Sequence, residues 1–131
     1  MYKFTVVLFA FSSLVLPILA IPAPAPASEE SQVTHYTGTV IEYHPPSGLG
    51  GCGDTNDDND QVVAISADRF DGGAHCNTQV QIKYNGLTVN PKIVDSCPAG
   101  TCGKDDFEAS PAVFKALGAQ GTVIGVEWNF D

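Results

Sequence analysis

Residues 94–117 read VDSCPAGTCGKDDFEASPAVFKAL. An apolar run reaches Val94 and ends at Asp95, directly before Ser96-Cys97-Pro98. A carboxylate at a strand end, beside a loop held by cysteines, is rigidly placed, which suits acid chemistry or hydrogen bonding to a carbohydrate. After a loop over Ala99 to Phe107, Ser110-Pro111 predicts a helix start. Serine is an N-cap residue, and proline at the first helical position lacks an N–H that would have no partner there anyway. Ala112 to Leu117 continues the helix and Gly118 stops it. Glu108 stands two residues before Ser110, at a loop-to-helix junction, where a helix N-terminus favours negative charge. Asp95 and Glu108 are thus the candidate carboxylate pair. Two carboxylates flanking a groove are the minimum for glycoside hydrolysis, though their spacing in sequence does not make them face each other.

Upstream, Gln61 to Ser66 (QVVAIS) is apolar and β-branched and predicts a buried strand, with a short helical turn over Ser66 to Phe70. Gln79 to Tyr84 alternates, Val80, Ile82 and Tyr84 against Gln79, Gln81 and Lys83, and Leu87 to Val94 resumes after Asn85-Gly86. Asn-Gly between two such runs is a hairpin signal, because both turn residues need φ > 0. Thr122 to Phe130 alternates as a closing strand. Gly38 to Tyr43 opens the set and is closed by His44-Pro45-Pro46. Several short strands with one or two short helices predict a mainly β protein built as a small closed barrel.

The chain's 131 residues are enough for one domain. Lys3 is the only charge in the first 20 residues, and Phe4 to Ala20 is almost wholly apolar. That pattern predicts a signal peptide over residues 1–20. Pro17 interrupts the run, which falls short of the roughly 20 residues of a spanning helix. Residues 21–33, IPAPAPASEESQV, predict an extended, disordered Pro/Ala-rich tail, leaving 34–131 as the folded domain. The formal charge is −9, and removing residues 1–20 takes away one lysine and no acid, so it becomes −10. A chain this poor in Lys and Arg is a poor candidate for nucleic acid or an anionic membrane. High net charge favours a soluble monomer.

Cys52, Cys76, Cys97 and Cys102 all lie in the expected domain. An even count in a small secreted chain predicts two disulfides, with three pairings open. A zinc site from His75, Cys76, Cys97 and Cys102 is the alternative, disfavoured by oxidising secretion and by the lack of a second ligand pair at zinc spacing. The loop Gly48 to Asp60, GLGGCGDTNDDND, fits an EF-hand at Asp54, Asn56 and Asp58 but fails where glycine and glutamate are required, at Asn59 and Ile65. An irregular calcium site or a solvated acidic turn remains. The glycines lack a P-loop lysine. No G-x-S-x-G accompanies His35, His44 or His75, so a nucleophilic enzyme is not expected. No cofactor and no bound metal are expected.

Several ordered motifs carry a resemblance. Gly38 to Tyr43, GLGGCG at 48–53, VVAISADRFDGGAHC at 62–76, VDSCP at 94–98 and EASPAVF at 108–114 resemble the double-psi β-barrel superfamily. That superfamily includes barwin, RlpA-like domains, the first domain of expansins and fungal loosenins. The resemblance spans residues 38–130 and implies a six-stranded double-psi β-barrel. It implies Cys52–Cys76 with Cys97–Cys102, against Cys52–Cys97 with Cys76–Cys102. It also implies a groove formed by Tyr43, Asp95 and Glu108. Glu108 stands where expansins carry an aspartate, and Ile41 where they carry a threonine. Ser96-Cys97 replaces an aromatic found in some relatives, and the second expansin domain has no counterpart. A catalytic group displaced by about 1 Å can lose about a hundredfold in rate.

Because this fold hosts several activities, the expectation is a secreted, extracellular, expansin-like or loosenin-like protein that binds cell-wall polysaccharide, cellulose or chitin, without hydrolysis. The alternative is an inhibitor or effector directed at a host cysteine protease through the loops Gly48 to Asp60 and Ala99 to Phe107. The second alternative is a weak lytic enzyme using Asp95 and Glu108 as acid and base.

Overall fold

The computed structural model describes residues 32–131 continuously and, before them, residues 10, 13–15, 17 and 20–25. The expected export signal over 1–20 falls largely outside the described residues, as do residues 26–31 of the expected tail over 21–33. The chain divides into two compact units, Met1–Glu30 and Ser31–Asp131. The described positions of the first carry no helix or strand. Among the described residues, no helix is long and apolar enough to cross a membrane.

The second unit is built from β1 (Tyr36–Glu42), β2 (Val62–Ser66), α1 (Ala67–Phe70), a 3₁₀ turn (Asp71–Gly73), β3 (Val80–Tyr84), β4 (Leu87–Val89), β5 (Lys92–Cys97), β6 (Phe107–Ala109), α2 (Pro111–Leu117) and β7 (Thr122–Phe130). The strands form one sheet in the order β4-β3-β7-β1-β6-β2-β5. Two pairings are parallel, β1 with β6 and β2 with β5, and the other four are antiparallel. The sheet curls on itself: Ile93 of β5 donates to Thr78 O and accepts from Asn77 N, and Val80 N donates to Pro91 O. Backbone groups that would be orphaned at the β5 edge are thereby satisfied. Val40, Val63, Ile65, Ile82, Ile93, Phe107, Val113, Phe114, Val126 and Trp128 fill the interior.

Seven strands stand where six were expected. The run Leu87 to Val94 is cut at Asn90-Pro91 into β4 and β5, because Pro91 has no N–H for a ladder. Asp95 does not end its strand, since β5 continues to Cys97. Glu108 lies on β6 and not at a loop-to-helix junction. A three-residue strand is too short to show a period in sequence. Asn85 and Gly86 both have positive φ, 48° and 78°, as the hairpin requires. Gly118 closes α2 in the left-handed conformation. Ser110 precedes α2 as expected, but its hydroxyl donates to Asp60 O and accepts from Val62 N, so it clasps the entry to β2 and does not cap the helix.

The alternation of β7 is also corrected. Gly38 pairs with Val126 and Val40 with Val123, so β7 carries one extra residue there. Gly125, at φ 69°, takes the bulge. A bulge switches which residues face inward. Val123, Val126 and Trp128 are therefore all buried and Ile124 is exposed.

Candidate functional site

One row across the outer face of the sheet runs through Ile41 (β1), Glu108 (β6), Ala64 (β2) and Asp95 (β5), each paired in register with the next. Residues in register share a face, so Asp95 and Glu108 stand on the same side, about 10 Å apart at the backbone with only the methyl of Ala64 between them. The register of β5 slips between Val63 and Ala64, placing an extra residue, Val94, before Asp95. That bulge frees the Val94 carbonyl, which accepts from Cys52 N at 3.0 Å.

The glycine loop covers Asp95. Its Oδ1 accepts from Gly51 N and Ser96 N, both at 2.8 Å. A Cβ on Gly51 would stand 2.8 Å from this oxygen, and one on Gly50 would stand 2.9 Å from Val94 O. Glycine at these two places is what lets the loop lie against the carboxylate. The Tyr43 hydroxyl is buried and has no hydrogen-bond partner. Burial, then the charges of Asp95 and Glu108, hold it well above the ordinary phenol range. The cleft between Tyr43, Pro45, Gly50 and Asp95 leaves no volume that a water molecule can enter.

Glu108 is walled on its other side by a disulfide, with a carboxylate oxygen within 4.8 Å of both Cys97 Sγ and Cys102 Sγ. Burial, and secondarily the Asp95 charge, hold its carboxyl above the usual range. The folded state thus binds this proton more tightly than the unfolded chain. Glu108 favours folding most below its ordinary titration range, and this contribution is lost as pH rises through the folded-state value. Replacing Glu108→Gln removes the dependence. The stability of E108Q relative to wild type is expected to increase from about pH 4 to pH 7. Denaturant unfolding across that range checks it, and a flat difference would contradict the environment described.

The disulfides are Cys52–Cys76 and Cys97–Cys102. The alternative pairing is not formed, and no thiolate is left for a zinc site or a nucleophile. In the acidic loop, Asp58 pairs with His44 and Asp54 with Lys92, while Asp57 and Asp60 accept local backbone N–H groups. Asp105 holds Arg69, and Asp106 accepts from Thr39 N and Gly103 N. Neither of these two carboxylates reaches the row of Asp95 and Glu108. His75 stacks on Phe130. Sequence reasoning did not find Ala64 as the floor between the two carboxylates, or the hydrogen bond of Gly51 to Asp95. Only strand register supplies the first, and the paired glycines of 50–51 were the signal for the second.

No protein-family model matches the chain. The papain inhibitor of Streptomyces mobaraensis is 30% identical over 132 residues, which is 93% of this chain and 91% of that protein. The chain belongs to the same double-psi β-barrel family. The solved structure of the Streptomyces papain inhibitor superposes with a TM-score of 0.63 at 26% identity, covering 76% of this chain and 96% of that one. An allergen of Aspergillus fumigatus is 33% identical over 76% of this chain, which spans only 36% of the allergen. An expansin of Clavibacter michiganensis, crystallised with cellohexaose, shares the fold with a TM-score of 0.65 at 23% identity, over 75% of this chain and 50% of that one. Expansin and papain inhibitor thus share the double-psi β-barrel fold with this chain.

Proposed function

We propose that this chain is an exported inhibitor of a papain-type cysteine protease, acting extracellularly as a monomer. The observation that carries the reading is the 30% identity to a papain inhibitor over 91% of that protein. The geometry supports it. The loops at residues 45–60 and 98–106 are held by disulfides, by backbone bonds to β5 and by the Arg69–Asp105 pair. Rigid loops lose little freedom on binding, which is what a tight inhibitor needs. In this reading residues 1–20 direct export, 21–33 form a tail, and 34–131 carry the inhibitory surface.

A second reading is non-hydrolytic binding of cellulose or chitin along the row of Asp95 and Glu108. It is favoured by two carboxyl groups on one face of the sheet. Against it, Asp95 is engaged by Gly51, and the Tyr43 hydroxyl is buried beside the two carboxylates and not open to a ligand. The two readings are separated by assaying papain with micromolar protein and sedimenting the same protein with insoluble cellulose and chitin. Stoichiometric loss of papain activity without depletion on glycan is the expected result. Full papain activity together with depletion on glycan would exchange the two readings.

A further inference from the structure

We infer that Leu49 is the side chain that enters the protease, docking in an apolar pocket of its substrate cleft. This inference rests on the inhibitor reading above and names the contact through which it would act. An exposed leucine means little alone, since every protein surface carries some. Leu49 is set apart by its surroundings. It is 72% exposed and sits in the run Pro45-Pro46-Ser47-Gly48-Leu49-Gly50-Gly51-Cys52. A Cβ at Gly48 would meet nothing within 4 Å. The loop lies against β5, and with glycine on both sides the Leu49 side chain stands out from it with no bulky neighbour in sequence.

Both feet of the loop are fixed. On one side the two prolines stiffen the chain, and His44 is paired with Asp58. On the other side three successive N–H groups are committed, Gly50 to Asp54 O, Gly51 to Asp95 Oδ1 and Cys52 to Val94 O. Cys52 is also tied to Cys76. Leu49 is thus held out into solvent by a frame that has already lost its freedom, the arrangement that yields an anchor residue. The half-buried Asp95 gains a role in this account. It does not contact the protease but holds Gly51, and so positions the loop. Of the aspartates that follow, Asp54 and Asp58 face Lys92 and His44, while Asp57 and Asp60 accept only backbone N–H groups and leave negative charge on this loop, which favours a cleft with a basic rim.

The test is inhibition of papain by four purified full-length proteins: wild type, Leu49→Ala, Leu49→Asp and Ile124→Ala. Ile124 is 76% exposed on β7 and is the apolar control. Leu49→Ala is expected to raise the inhibition constant about thirtyfold, the scale of an interface anchor. Leu49→Asp is expected to abolish inhibition, and Ile124→Ala to change it by less than about twofold. All four should unfold at the same denaturant midpoint, because both positions are exposed. If wild type inhibits and Leu49→Ala inhibits equally well, the contact is overturned while the inhibitor reading stands. If wild type leaves papain fully active, the inhibitor reading falls and takes this contact with it. Loss of inhibition equal in Leu49→Ala and Ile124→Ala would also overturn it, by pointing to a diffuse surface.

Discussion

Replacing Trp128 with alanine is expected to lower the unfolding free energy by about 3–5 kcal/mol, the range for truncating a buried aromatic. Trp128 is 1% exposed. Its ring packs against Tyr36, Phe107 and Phe130, with centroids 4.7, 5.6 and 5.3 Å away. Its indole N–H donates to the Asp105 carbonyl at 2.9 Å. That bond matters because the Asp105 backbone passes so close to Gly38 that any Cβ there would collide with the same carbonyl. Trp128 therefore fills the core and fixes the loop that leads into β6. Trp128→Phe keeps most of the ring and gives up the hydrogen bond, so it should cost about 1–3 kcal/mol, set by the carbonyl left unpaired. Urea or guanidinium unfolding monitored by circular dichroism measures both. Because a domain of this size has about 5–15 kcal/mol in total, the alanine variant should be partly unfolded at 37 °C. A loss below about 1 kcal/mol for alanine would contradict the packing described.

The second large effect is expected from the disulfides, and it should be unequal. Cys52 and Cys76 are separated by 24 positions, Cys97 and Cys102 by 5. Chain-entropy arguments then give about 3–4 kcal/mol for the first bridge and about 2 kcal/mol for the second. The Cys52→Ala/Cys76→Ala protein should therefore melt well below Cys97→Ala/Cys102→Ala. It should also lose inhibition before it loses its fold, because Cys52 closes the foot of the Leu49 loop. Thermal melts and papain assays on the two double variants at the same temperature check this. Equal melting temperatures, or inhibition retained in full without Cys52–Cys76, would contradict it.

Much of the barrel was legible because its signals are local. Asn85-Gly86 fixes a hairpin through the φ > 0 that both residues tolerate, and Ser110-Pro111 with Gly118 marks both ends of a helix. The misses have a common cause, since they depend on partners distant in sequence. The three residues of β6 are a strand only because Ile41 and Ala64 flank Glu108. The bulge at Gly125 exists because β7 must match β1 over a longer path than alternation allows. The candidate site was legible as a list and not as an arrangement. Asp95, Glu108 and Tyr43 could be named from motifs, and the structure brings them together. That the glycines cap Asp95 and that the Tyr43 hydroxyl is buried could not be read without the loop's path.

The pairing of β1 has a consequence for how the chain is made. Its partners are β6 and β7: Val40 pairs with Phe107, 67 residues on, and Tyr36 with Trp128, 92 residues on. Contacts between such distant segments form late, after the loop-closure cost has been met. During synthesis β1 waits for β6, and then for β7, before it has a strand to pair with. The first strand of the barrel is thus among the last to be paired, and the strands between must be made before the sheet can close.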